Sequence, residues 1–211
     1  MDVTYIDLGL HKDAPELDMV IEICDRRGYG FNAYGIEANP TYIPKLSEKY
    51  ANDPRVDILN YAIGKGSGEC KLYLSEAFDG EGSSIYPTKN NVKESDYLTV
   101  EMRRLSDLMQ GFTLHPVTIL KWNIEGAELP MMLDLYETGS YKRISLFCGA
   151  TPDIHKVSEI AHLEADYKAL MRQLGIDWFP FYSTPQRGLK QAMRDSMDKR
   201  LSTYAKRTNT P

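Results

Sequence analysis

The apolar positions along the chain change period several times. Val3 to Leu8 is a short, nearly continuous apolar run ending in Asp7 and Gly9, the form of a buried strand followed by a sharp turn. Between Ala14 and Arg27, Leu17, Val20, Ile21 and Cys24 fall at i, i+3, i+4 and i+7. With Pro15 in the first turn and Gly28 just past the end, this spacing predicts a helix. Phe31 to Glu37 repeats the strand pattern. Asn39 before Pro40 opens a second helix that ends near Tyr50, and Asp53-Pro54 turns into a third strand predicted over Val56 to Ile63.

The middle of the chain departs from that rhythm. Cys70 to Leu74 and Tyr97 to Met102 read as antiparallel strands with a Gly/Ser-rich loop from Asp79 to Ser84 between them, and Leu105 to Met109 is at most a short helix. The earlier alternation then returns: a strand at Val117 to Ile124, a helix over Ala127 to Glu137, and a strand at Arg143 to Cys148. A helix follows through Ile160, Leu163, Tyr167, Leu170 and Leu174, then an edge strand at Asp177 to Ser183 that contains Pro180. Leu189, Met193, Met197, Leu201 and Tyr204 recur every three or four residues, so the last segment is amphipathic. Strands alternating with helical stretches of about 10 to 15 residues predict an α/β fold: an open, mostly parallel sheet with an antiparallel insertion and a C-terminal helix.

The 211 residues, 42% hydrophobic and 26% charged, suit one folded body rather than disorder. We expect that body at residues 1–186 and a basic appendix at 187–211. The formal net charge of −5 is split unevenly. From Arg187 onward seven basic residues face two acidic ones, so the body is more acidic than the total suggests. An acidic body repels phosphate backbones, and no nucleic-acid partner is expected. The tail's stripe is expected to dock on the body or on a second copy, forming a homo-oligomer. Three cysteines without a short-spaced pair argue against a disulfide framework or a CxxC zinc site. Together with the lack of a membrane-length apolar run and of a signal-peptide pattern, this leads us to expect a cytoplasmic protein.

In open α/β sheets ligands bind beyond the carboxyl ends of the strands, which selects Asp7 to Asp13, Glu37 to Asn39, Asn60 to Gly64 and Asn123 to Glu128. Gly9 is followed by Leu10, His11, Lys12 and Asp13 rather than by the glycines of a dinucleotide fingerprint, which argues against a nicotinamide-dependent oxidoreductase. Glu37 at a strand end suits two ribose hydroxyls, or stands there simply as a solvated charge. Lys121, Asn123 and Glu125 at i, i+2 and i+4 of an apolar strand share one face, leading into a site. Alternatively, Lys121 pairs with Glu125 or Glu128 at the start of the next helix. His11 suits proton transfer, or a hydrogen bond at the start of the first helix. The other histidines share no ligand spacing, and no metal is assigned.

The segments YIDLGLHK (5–12), GIEANP (35–40), NYAIG (60–64), GSS (82–84) and LKWNIEGAE (120–128) resemble, in order and spacing, FkbM-type S-adenosylmethionine-dependent methyltransferases. The resemblance spans about Thr4 to Ser183 and implies a Rossmann-like class I methyltransferase sheet with S-adenosyl-L-methionine as cofactor. It implies that Asp7, Gly9 and Leu10 turn beneath the methionine part and that Glu37 holds the ribose hydroxyls. Ala38 and Asn39 would flank the adenine, with Tyr61 and Ala62 on its other face. The Gly82 to Ser84 loop, with Ser83, would close over the cofactor. Glu125, His11 and Asn123 become the candidate catalytic residues. The implied reaction is O-methylation of a small hydroxylated molecule, such as a sugar or secondary metabolite, with N-methylation open. Asp13 and Asn123 depart from the family pattern of Gly and Asp, which motivates a second reading: a cofactor-binding protein with impaired catalysis.

Overall fold

The computed structural model describes residues 1–75, 81–181 and 187–208. Asp79 and Gly80 of the expected loop, Tyr182 and Ser183 of the expected last strand, the Gln186 boundary and the Leu189 side chain lie outside the described residues. In chain order the first half comprises β1 (Asp2–Leu8), α1 (Pro15–Arg27), β2 (Gly30–Ile36), α2 (Ile43–Tyr50), β3 (Val56–Leu59), β4 (Ala62–Ile63), β5 (Gly68–Ser75) and β6 (Val92–Arg103). The second half comprises α3 (Leu105–Gly111), β7 (Val117–Trp122), α4 (Glu128–Glu137), β8 (Leu146–Gly149), α5 (Glu164–Gln173), β9 (Trp178–Pro180) and α6 (Arg187–Thr208).

Six strands form one sheet in the order β3-β2-β1-β7-β8-β9, every neighbouring pair parallel. The chain builds outward from β1 in one direction and then restarts at β7 in the other, so its order reverses between β1 and β7. That gap is the natural ligand crevice of an open sheet. The expected insertion is a second, three-stranded sheet, β4-β6-β5, in which β5 runs antiparallel to β6 and β4 parallel to it.

Two strands end earlier than their hydrophobicity suggests. Val56 to Ile63 is not one strand: Asn60 and Tyr61 lead the chain out of the large sheet, and Ala62 and Ile63 pair with β6 in the small one. Asn60 Nδ2 donates to the backbone oxygens of Glu37 at 2.8 Å and Ala38 at 3.2 Å, fixing that departure. β7 stops at Trp122, and Glu125 has a left-handed φ of 56°. The strand-face relation expected for Lys121, Asn123 and Glu125 therefore holds for Lys121 alone.

Parity along β1 divides the core. Val3 and Tyr5 face a layer containing Leu17 and Val20 of α1 with Met193, Met197 and Leu201 of α6. Ile6 and Leu8 face the other layer, with Leu120 and Trp122 of β7, Met131 and Leu135 of α4, and Met171 of α5. Burial on both faces explains why these strands read as continuous apolar runs. The tail helix thus docks on the body, one of the two placements expected. Asp198 accepts from Arg27 Nε at 2.8 Å and pairs with Arg26 at 3.2 Å, Arg194 pairs with Glu22, and the Tyr204 hydroxyl donates to Ser145 O at 2.7 Å.

Because Leu201 is fully buried whereas the Asp198 pairs are at the surface, the apolar contacts dominate this docking. Leu201→Ala is expected to lower unfolding free energy by about 2–5 kcal/mol, and Asp198→Ala by about 1 kcal/mol or less, in urea titrations. Equal losses in the two variants would refute this ranking.

Candidate functional site

A cleft of about 230 Å³ lies beyond the carboxyl ends of the large sheet, at the β1–β7 reversal. Its base is set by Gly9, whose φ is 75°. A Cβ there would sit 2.0 Å from the backbone oxygen of Asn123, so the lack of a side chain lets the loops after β1 and β7 cross closely. Gly9 N donates to Ile36 O at 2.9 Å and Asn123 N to Leu8 O at 2.8 Å, tying the ends of three strands together.

Beneath this crossing Lys121 Nζ lies 2.7 Å from Asp7 Oδ1 and donates to Gly9 O at 2.8 Å. Both side chains are almost wholly buried, and Asp7 and Lys121 are register partners on adjacent strands. Burial pushes Asp7 up to about 6, with the Lys121 charge pulling it back. Burial works against the ammonium of Lys121, yet the negative charges of Asp7 and Glu16 raise its pKa above the ordinary value.

Ten of the residues expected at the site line this one cleft. Gly9, Glu37, Ala38, Asn39, Tyr61 and Ala62 come from the first three strand ends, and Ser83, His11, Asn123 and Glu125 join them. Asp7 and Leu10 do not line it. Asp7 lies in the floor with Lys121, and Leu10 is fully buried, its side chain against Gly35. Neither alternative pairing of Lys121 with Glu125 or Glu128 occurs; Asp7 takes that place.

Glu37 is 8% exposed at the end of β2. Its Oε1 accepts from Asn39 N at 2.8 Å and its Oε2 from His11 N at 3.2 Å. Burial raises its pKa, against these two amides. Asn39 Oδ1 accepts from the backbone N and hydroxyl of Thr41 at 3.0 and 2.8 Å, forming the turn before α2. His11 has a left-handed φ of 65°. Its Nδ1 accepts from Asp13 N at 3.2 Å and its Nε2 bonds to Glu81, so both ring nitrogens are engaged. Asp13 itself turns outward and pairs with Lys45.

Glu125 is held by a segment with no evident chemical signature. Lys89, 3% exposed, places Nζ 2.7 Å from Glu125 Oε2 and 3.5 Å from Asp153, and donates to Gly82 O at 2.9 Å and Asn91 Oδ1 at 2.7 Å. The Ser84 hydroxyl donates to Glu125 O at 2.7 Å, and Ser84 pairs with Tyr73 by two backbone bonds. Burial raises the Glu125 pKa while Lys89 opposes the rise and Asp153 adds to it. The Asn123 carboxamide makes no hydrogen bond among the described residues. Lys89 escapes sequence reasoning because it sits in a polar Lys-Asn-Asn run with no motif. Tyr42, Leu72, Glu81 and Ile85, which also line the cleft, carry no motif either.

Glu128, 1% exposed, accepts from Ile124 N at 3.3 Å and Gly126 N at 2.8 Å at the start of α4. Burial, with the nearby Glu125 charge, pushes it up from 4.5 to about 7. The native state then binds this proton more tightly than the unfolded chain. Its stabilising contribution is complete below pH 4.5 and is lost as pH rises through about 7. Relative to the wild type, Glu128→Gln is expected to gain up to about 3 kcal/mol of unfolding free energy between pH 4.5 and pH 8, measured by urea titration. Parallel pH profiles for the two proteins would refute it.

The family model described as the methyltransferase FkbM domain matches residues 7–172. No curated protein and no solved structure gives a significant match.

Proposed function

The chain belongs to the FkbM methyltransferase domain family, and on that premise we propose that it binds S-adenosyl-L-methionine in the cleft and methylates a hydroxyl oxygen of a small molecule. The observation that carries this reading is Glu37. A buried carboxylate, oriented by two backbone amides at the end of β2, is suited to accept both hydroxyls of a ribose. The rest of the lining fits the same group. Ala38, Tyr61, Ala62, Ile63 and Leu72 offer apolar surface for a flat base, and Gly9 leaves room over the sheet ends.

When bound, the cofactor supplies a sulfonium-activated methyl group, so the protein's tasks are alignment, exclusion of water and acceptance of one proton. Glu125 would accept the proton of the acceptor hydroxyl, and the cofactor would supply the methyl group that takes the proton's place on that oxygen. Burial raises the Glu125 pKa above the ordinary carboxylate value, which makes it a stronger base than a solvated glutamate. Asn123, with an uncommitted carboxamide, orients the acceptor oxygen. His11 acts in positioning, because both its ring nitrogens are engaged within the chain.

The binding-only reading draws no support from Asp13, which faces outward to Lys45 and does not line the cleft. An amide at 123 is also no obstacle where Glu125 is the base.

Calorimetric titration with S-adenosylhomocysteine is expected to show one site in the wild type. Glu37→Gln should weaken it about 10- to 100-fold, the value of charge-assisted bonds to a diol. A wild type without a binding isotherm would overturn the cofactor assignment. Binding without methyl transfer to any of a broad panel of hydroxylated acceptors would favour the binding-only reading.

A further inference from the structure

A second cavity, of about 460 Å³, adjoins the first and shares Asn123 and Glu125 with it. Its walls come from segments far apart in sequence. Lys89, Asn90 and Asn91 lie on one side, and Thr151, Asp153 and Lys156 on the other. Asn90 N donates to Lys156 O at 3.0 Å, and Lys89 and Val157 form an isolated bridge, so the two walls are fixed to each other.

The chemistry of these walls narrows what they can hold. The charges are already paired: Lys89 with Glu125 and Asp153, and Lys156 with Asp153 at 2.8 Å. Glu128 has both carboxylate oxygens on backbone amides. An anion would face Glu125, Glu128 and Asp153, and a cation would face Lys89 and Lys156. Ala150 is the one apolar side chain among the described lining residues, so a flat aromatic molecule would leave polar groups without partners. What remains is neutral hydrogen-bonding capacity: the carboxamides of Asn123 and Asn90 and the Thr151 hydroxyl.

We propose that this second cavity is the methyl-acceptor subsite and that it takes an uncharged, polyhydroxylated molecule, whose reacting hydroxyl meets Asn123 and Glu125 at the shared wall. The proposal rests on reading the neighbouring cleft as the cofactor's. Lys89 is then a positioning residue: it holds the Glu125 carboxylate from behind and ties it through Gly82 to the segment covering the cofactor cleft.

The test is saturation-transfer NMR on the full chain, with and without S-adenosylhomocysteine. The probes are two neutral sugars (methyl α-D-glucopyranoside and methyl α-L-rhamnopyranoside), glucuronate as an anion, and catechol as a flat aromatic. At least one neutral glycoside is expected to give a signal, while glucuronate and catechol give none. Thr151→Trp and Asn90→Trp, at exposed positions on the two walls, should each abolish that signal while calorimetry shows unchanged S-adenosylhomocysteine affinity. The subsite assignment is overturned if neither glycoside gives a signal, if the signal survives both substitutions, or if glucuronate or catechol gives one that the substitutions remove. Failure of the cofactor reading is distinguishable, because it removes the S-adenosylhomocysteine isotherm of the wild type and leaves the ligand-free NMR arm to decide the second cavity.

Discussion

The ammonium of Lys121 and the carboxylate of Asp7 meet 2.7 Å apart inside the protein, where water cannot solvate either. Separating them would strand a buried charge at a cost of about 3–5 kcal/mol. The pair sits where two adjacent parallel strands end, and a second bond, from Lys121 to Gly9 O, reaches into the turn that follows β1. The crossing of that turn over the Asn123 backbone, and therefore the base of the cleft, depends on this contact. Asp7 serves the site from below, as part of its foundation.

Above that foundation the site is assembled from pieces that the large sheet does not supply. Segment 81–91 bonds to the turn before α4 through Ser84 and Lys89, and Glu125 is held in a left-handed conformation between them. Such a backbone costs on the order of 1 kcal/mol or more in a residue with a side chain and persists where surrounding bonds over-determine it. His11, which also lines the cleft, shares this conformation with φ of 65°. Local strain is thus gathered around the cleft, which is what a site requiring fixed orientation demands.

Much of this was legible in the residues, and the exceptions have physical causes. β1, α1 and β2 were readable because burial on both faces gives unbroken apolar runs and because Pro15 and Gly28 bracket the helix. The third strand was misread because hydrophobicity marks burial, and Ala62 and Ile63 are buried in a different sheet from Val56. That Glu37 and Asn39 line the cleft is readable because a strand end is a place recognisable from sequence. Asp7, expected in the turn under the cofactor's methionine part, lies by strand parity on the Tyr5 face beside Lys121, a buried partner that the sequence pattern does not announce. Lys89 was invisible because its partners lie 36 and 64 residues away and no local pattern announces them.

The docking of α6 has a consequence for how the protein is made. One layer of the core needs Met193, Met197 and Leu201, which are synthesised after every strand of the sheet. While the chain is still emerging from the ribosome, α1 and the sheet face beneath it lack their final cover, and exposed apolar surface of that kind invites association with other nascent chains. The basic, water-facing side of α6 and its pairs to α1, Arg194 with Glu22 and Asp198 with Arg26 and Arg27, then help a late-arriving helix find its seat on an acidic body. One face of the sheet is thus closed only by the helix that follows all of its strands.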